Sequence, residues 1–548
     1  MRDFRVCIFS SARIPQLQHF LWRLHTDLPE VEVVGVLYET ERPPLSRKKR
    51  IERAKKYLRD PDFVHYVAHK FSARVSRELE KLPTLLLHLA HGTDGNLNPA
   101  ATTLEELAHE CKGREVAFHV TEDLHDEASL EFVTGLRTDL GVVYATRILK
   151  PKLFSIPRLG SINIHQHKVP DYRGAGAAGL WEMRDGKTEQ TVTVHRVTTE
   201  VDGGAVLGER SFPIEPLDTL TSIGLKADLV SVDCLIDVIR AESCGKSIEV
   251  PQPTAGTVYK GVQPHQMWAI EKSINKKRKP FRPSTGRPFH KLAVRMLAYP
   301  ILFFRNRRWA REKNFPVVIL FHHVISDRAK HMGLPLDYFL RHVHFLKKHY
   351  RIVSLPDALE MLKKGEVNAP TVVLTFDDGY AENFLGLRAV IEAENIPVTL
   401  FVCTRHVTEQ SEFQHDIEVG EHGFPALSWD EIRYFDKHGV CIASHTRTHF
   451  DCGSTDEEKL LDEISGSLEE LRRELGHDVY YFSFPKGHPK NMSEQARRIA
   501  SQSYPFVFSA CGGVNRGPLP PDAIIKRCSH PESLWELELM LQSILEFE

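Results

Sequence analysis

The stretch Thr371–Gly379, TVVLTFDDG, constrains this chain more than any other. Val372, Val373, Leu374 and Phe376 make no helical stripe, and the β-branched run reads as a buried strand. Asp377 and Asp378 then stand at its C-terminal end, where open and barrel α/β sheets carry their sites. Adjacent strand residues point to opposite faces, so the two carboxylates can take different roles. Further along comes Ser444–His449, SHTRTH. His445 and His449, four apart, can lie on one face of a helical turn and hold one metal. One Asp with two His leaves a metal position open, as hydrolytic sites require. Alone, Asp-Asp-Gly after a strand is an ordinary turn, and a His-x-x-x-His pair arises by chance among 29 histidines. The conjunction is what carries weight.

At 548 residues the chain should hold two or three domains. Its formal net charge of −2 gives no global pull towards nucleic acid or membrane. Nine scattered cysteines without a C-x-x-C pair read as the reduced thiols of a cytosolic protein. Met1-Arg2-Asp3-Phe4 leads straight into a strand with no secretory pattern, so the expectation is cytoplasmic. No run of about 20 apolar residues would span a bilayer.

The first half alternates strand and helix. Arg5–Ser10, Val31–Tyr38, Glu115–Val120 and Leu140–Ala145 read as strands. Thr121 or Asp123 caps a helix running to about Leu136. Such alternation implies a parallel, doubly wound sheet. No G-x-G-x-x-G follows the first strand, which weakens a dinucleotide reading.

Chemistry enters at Gly160–Gly176, GSINIHQHKVPDYRGAG. Alternation places Asn163 and His165 on one face of a strand. A second alternating strand, Thr191–Val197, leads to Val201-Asp202-Gly203-Gly204. The set resembles the 10-formyltetrahydrofolate-dependent formyltransferases, with their N-x-H, their L-P-x-x-R-G loop and a later D-x-G. Asn163, His165 and Asp202 fall on the Asn, His and Asp; Arg173 and Gly174 fall on the loop. The resemblance covers about residues 4–260 and implies a Rossmann-like formyltransferase domain, 1–260, with 10-formyltetrahydrofolate as co-substrate. In that reading Asn163 and protonated His165 donate to a tetrahedral oxyanion. Asp202 orients His165, raises its pKa and helps remove the amine proton. His167 replaces the usual Ser before the loop, which bears on the substrate rather than the reaction.

Returning to the second half, TFDDG, the His pair and Phe482–Gly487, FSFPKG, occur in the order of the polysaccharide deacetylase family. Phe321–Val324, Pro397–Val402 and Leu427–Trp429 agree with it. The resemblance implies a distorted (β/α) barrel over 315–548. It also implies a divalent metal, with zinc the expected ion, on Asp378, His445 and His449, and Asp377 as general base. Pro485 falls on the family's Pro–Gly loop. The Arg of that loop is missing, and Arg527 is the residue expected to contact Asp377 instead. No clean Leu-x-His motif supplies an acid; His530 is a weak substitute.

Between the two, 261–314 forms a basic linker. Lys272–Lys313 holds fourteen Lys/Arg and one acid, Glu312, around the apolar run Leu292–Phe304. It reads as a linker with a packed helix, or as a peripheral membrane contact. No nucleic-acid partner is expected. A carbohydrate hydrolase fused behind a formyltransferase favours an amino-sugar substrate, nucleotide- or polyprenyl-linked. The alternatives are a methionyl-tRNA formyltransferase with a passenger domain, or a second half that only binds carbohydrate.

Overall fold

A computed structural model describes residues 4–40, 62–71, 97–98, 102–253, 256–276, 278, 281, 301, 304–328, 332–520 and 522–541. The chain forms two compact units. The first comprises Met1–Val75 and Ala101–Lys279; the second comprises Ser76–Ala100 and Pro280–Glu548. This division differs from the boundaries read from the sequence at two places. Residues 76–100 cluster with the second unit, and the helix Pro264–Lys276 belongs to the first. Most of the apolar run from Leu292 lies outside the described residues.

The first unit is built on seven strands: β1 (Phe4–Ser10), β2 (Val31–Glu39), β3 (Ala117–Thr121), β4 (Leu140–Tyr144), β5 (Ser161–His165), β6 (Glu189–Arg196) and β7 (Val206–Pro213). Their order is β3-β2-β1-β4-β5-β6-β7. The first five run parallel, and β6 and β7 add antiparallel. Strand order reverses beside β1, the place where doubly wound sheets open a crevice. Val6, Cys7, Ile8 and Phe9 of β1 are fully buried, as a strand covered on both faces must be. Helix α1 (Ile14–Asp27) packs with α4 (Leu220–Ser243), while α2 (Leu104–Gly113) and α3 (Glu127–Leu136) pack against β3 and β2. The N-cap of α3 is Asp126, not the expected Thr121 or Asp123; its carboxylate accepts from the Ser129 N–H and from the Thr121 hydroxyl. The short turn 122–125 delays the helix start.

The second unit carries a parallel sheet of nine strands: β8 (Val317–His322), β9 (Arg351–Ile352), β10 (Thr371–Phe376), β11 (Thr399–Val402), β12 (Cys441–Ser444), β13 (Tyr481–Ser483), β14 (Phe506–Phe508), β15 (Ile524–Ile525) and β16 (Cys528–Ser529). The order is β15-β14-β13-β12-β11-β10-β8-β16, with β9 beside β10. Every residue of β10 is buried, as the sequence requires of a strand deep in a barrel. Two strands adjacent in sequence, β15 and β16, occupy opposite ends of this order. Lys526 and Arg527 therefore cross the seam of the barrel. Asn515 closes that seam: its backbone exchanges hydrogen bonds with Val317, and its side chain bonds the Lys526 backbone.

Helices α5 (Leu336–His349), α6 (Leu355–Lys364), α7 (Trp429–Lys437), α8 (Glu457–Leu475) and α9 (Glu494–Ser503) cover the sheet. Asn98 explains why its segment belongs here. Its amide donates to the Lys347 and Tyr350 carbonyls at 2.6 Å each, and its oxygen accepts from the Ile352 N–H at 2.9 Å. It thereby satisfies carbonyls left open at the end of α5.

Candidate active sites

In the first unit, β5 and β6 pair so that Asn163 lies opposite His195. His195 Nδ1 lies 2.8 Å from the Arg196 carbonyl oxygen, and its Nε2 lies 3.1 Å from the Asn163 amide nitrogen. Asn163 keeps a second amide hydrogen for another acceptor. His165, two residues on, donates from Nε2 to the Tyr172 carbonyl at 2.6 Å. Its Nδ1 then faces Asp202 at 3.7 Å.

Asp202 has φ +48°, a left-handed conformation that Asp tolerates better than most residues. Its carboxylate accepts the Gly174 N–H at 2.8 Å and lies 3.4 Å from His195 Nε2. Burial pushes this carboxyl up, but His195, His165 and the Gly174 N–H outweigh it and hold it down at about 2. His165 differs from the expectation. Burial lowers its imidazole below the ordinary value, and Asp202 offsets this only in part. The resting ring is neutral.

Arg173 does not reach into this site. It is buried, bonding Glu200 at 2.6 Å and the Gln252 side-chain oxygen at 2.9 Å, while the Gln252 amide donates to the Asp202 and Gly204 carbonyls. Arg173 thus braces the loop that presents Asp202. Gly174 has φ +90°, and a Cβ there would meet the Tyr259 carbonyl at 2.3 Å, so only Gly can offer its N–H to Asp202. Beside these groups, buried His167 donates from Nδ1 to Glu182 at 2.8 Å.

In the second unit, Asp377 and Asp378 leave the end of β10 in different directions. The backbone is pinned on both sides, Asp377 N–H to the His322 carbonyl and Cys403 N–H to the Asp378 carbonyl. Asp378 sits at φ +69° and Gly379 at φ +88°, a strained turn of the kind that clusters at functional sites. Arg527, wholly buried at the seam, donates to both oxygens of Asp377 at 2.6 and 2.7 Å. The same guanidinium donates to Ser483 Oγ, Thr375 Oγ1 and the Ser509 carbonyl. Burial opposes ionisation of Asp377, yet Arg527 and His445 hold its carboxyl at about 2.

Asp378, His445 and His449 each offer a ligand atom, all within 4.8 Å of one another. His445 donates from Nδ1 to the Ser483 carbonyl at 2.8 Å, which turns the Nε2 lone pair towards Asp378 at 3.6 Å; His449 Nε2 lies at 3.4 Å. Burial lowers His445 to about 3 and His449 to about 4, so both rings are neutral, the form that ligates metals. Both Asp378 oxygens are buried and accept no hydrogen bond among the described residues. A divalent cation fits this donor set, since it would satisfy an otherwise orphaned carboxylate.

The histidine pair is not on a helical turn, as the spacing suggested. Residues 446–448 form an irregular turn with Thr446 at φ +66° and His449 at φ +58°. Buried Glu463 holds it, accepting from the Arg447 and Thr448 N–H groups at 3.0 and 2.9 Å and from Thr448 Oγ1 at 2.7 Å. Pro485 is buried in the loop that follows β13. His530 does not join the site: it is half-buried, packed on His322, and shares a hydrogen bond with His342 Nδ1, 2.6 Å away. Two other histidines do. His415 Nε2 lies 3.7 Å from Asp378 and 2.9 Å from the Tyr380 hydroxyl. His323 is close enough for the charges of Asp378 and Asp377 to act on it.

Residues 4–239 match the family described as formyl transferase, and residues 364–503 match polysaccharide deacetylase. The chain thus joins a formyl transferase domain to a polysaccharide deacetylase domain, and both families are families of enzymes. A methionyl-tRNA formyltransferase of Parabacteroides distasonis is 36% identical over 138 residues, covering 24% of this chain and 40% of the relative. The chain spans about two fifths of the length of the curated relatives it matches. Among solved structures, IcaB from Ammonifex degensii is 20% identical with a TM-score of 0.36, covering 42% of this chain and 97% of that one. A sugar N-formyltransferase from a Shewanella species is 15% identical with a TM-score of 0.30, covering 48% and 78%.

Proposed function

We propose that this chain removes the N-acyl group of an amino sugar by hydrolysis and places a formyl group on a sugar amine, with 10-formyltetrahydrofolate as donor. The observation that carries the reading is the presence in one chain of the Asn163–His165–Asp202 set and the Asp378–His445–His449 set with its Arg527-bound Asp377. The first reaction frees an amine and the second consumes one, so one product is the other's acceptor. The sugar is carried on a nucleotide or a polyprenyl group.

At the first site the acceptor amine attacks the formyl carbon. The free amide hydrogen of Asn163 stabilises the developing oxyanion. His165 takes the amine proton at Nδ1, because its Nε2 proton is committed to Tyr172. The imidazolium so formed gains Asp202 as counter-ion. As the intermediate collapses, the bond from the formyl carbon to the folate nitrogen breaks, and the Nδ1 proton passes to that nitrogen, releasing tetrahydrofolate. At the second site Asp377, kept ionised by Arg527, orients the attacking water and receives its proton. When the amide C–N bond breaks, Asp377 returns that proton to the departing sugar amine and the acyl group leaves as its carboxylate. Asp378, His445 and His449 would hold a divalent cation, zinc in our reading, which supplies Lewis acidity to the amide carbonyl.

Single-site variants test the assignment. Given an N-acetylated sugar and the folate, Asp202→Asn should accumulate free amine. Asp377→Asn should formylate only a sugar supplied as free amine. Formyl transfer unaffected by Asp202→Asn would contradict the reading. A second reading, formylation of methionyl-tRNA, is favoured by the similarity of the first half to methionyl-tRNA formyltransferases. Activity on that tRNA with none on sugars would establish it.

A further inference from the structure

The basic stretch ahead of the second unit's sheet has an ordered end that neither chemistry uses. Residues 304–312 are helical, as is Ile301. The inward face is Asn306, Trp309 and Ala310: Asn306 is buried, and Trp309 and Ala310 pack on the core beside Phe315 and Val317. Trp309 is clamped between two guanidinium groups, Arg305 and Arg516, each 4.2 Å from its ring. That clamp fixes the rotation of the helix.

The opposite face is therefore also fixed. At about 100° per residue, Phe304, Arg308 and Arg311 fall within about 60° of one another. Ile301 and Phe304 are each 71% exposed, and Arg307, Arg308 and Arg311 are exposed around them. Glu312, the one acid from 301 to 313, is bonded to Arg308 at 2.8 Å. Large apolar side chains among arginines on a solvent face are what an anionic bilayer surface receives: rings and methyls enter the acyl boundary while guanidinium groups stay at the headgroups. A nucleic-acid backbone would use the arginines and leave Ile301 without a role. No helix among the described residues is long and apolar enough to cross a membrane, so the contact is with the surface.

We infer that this helix face docks the protein on anionic lipid membranes, with Ile301 and Phe304 inserted and Arg308 and Arg311 at the headgroups. The inference stands on this surface alone and does not depend on the chemistry of either site.

Co-sedimentation of the full chain with phosphatidylcholine vesicles, with and without phosphatidylglycerol, tests it. The protein should pellet with the anionic vesicles and stay in solution with the neutral ones. Ile301→Ser with Phe304→Ser, and separately Arg308→Gln with Arg311→Gln, should each weaken binding about tenfold. Circular dichroism and retained metal content would show that the variants fold. Absence of pelleting, equal pelleting on both vesicles, or binding indifferent to both double variants would overturn the inference. Displacement by a short RNA, sensitive to the arginine pair but not to Ile301 and Phe304, would also overturn it.

Discussion

Arg527 closes on both oxygens of Asp377 from 150 residues further along the chain. Arg527 is wholly buried and Asp377 nearly so, so bulk solvent compensates neither charge. Removing the cation strands a buried carboxylate, which costs about 3–5 kcal/mol. Arg527→Leu should destabilise the second unit by that order, read by chemical denaturation. Arg527→Lys keeps a charge but loses the two-pronged geometry. It should slow amide hydrolysis about a hundredfold while metal content stays unchanged. Full activity in Arg527→Lys would show that orientation of Asp377 is immaterial.

The metal set predicts a clean separation of the two activities. Chelation should abolish amide hydrolysis and leave formyl transfer intact. Asp378→Asn should lower the metal found by elemental analysis well below one ion per chain. If the second unit only bound carbohydrate, neither treatment would alter any reaction.

Glu463 predicts an effect away from the ligands. Its carboxylate holds three donors of the turn between His445 and His449. Glu463→Gln replaces one acceptor oxygen by a donor facing N–H groups. Metal affinity should fall about 10- to 100-fold, the size expected when ligand-supporting partners are lost. Formyl transfer should not change. Titration with a metal-sensitive dye reads the affinity directly.

The first unit supplies a pH prediction. Asp202 is held at about 2 in the folded chain, below the ordinary carboxyl value of about 3.9. A depressed carboxyl contributes stability that is present above its unfolded pKa and is lost as pH falls through the folded one. The destabilisation caused by Asp202→Asn should therefore be full at pH 6, of the order of 2 kcal/mol. It should shrink as the pH is lowered from about 4 towards 2. Since Asp202 stays ionised throughout neutral pH, the same variant should lose formyl transfer about 100-fold or more at every pH from about 6 to 8. Denaturation midpoints at pH 6 and pH 3 check the first part.

What could be read from the sequence was local. Alternation placed Asn163 and His165 on one face, and the buried strand ending in Asp377 and Asp378 announced itself by composition. His195 was within reach as well, because it lies on an alternating strand, but its register opposite Asn163 is set by sheet pairing. Other features have no local pattern. Arg527 reaches Asp377 because β15 and β16 straddle the seam. His415 is brought to Asp378 by a short helix, Gln414–Glu418, with no recognisable spacing. The pKa of His165 depends on how completely its loop buries it, and burial outweighs the nearby carboxylate. His530 looked available by position, yet its strand turns it into a cluster with His322 and His342.

The most direct test is mass spectrometry of the product when the full chain meets nucleotide-linked N-acetylated amino sugars, with and without 10-formyltetrahydrofolate. Our account predicts an N-acetyl sugar that emerges one methylene lighter only when the folate is present, and as the free amine without it. Formyl transfer to no sugar under either condition, with transfer to methionyl-tRNA instead, would contradict it.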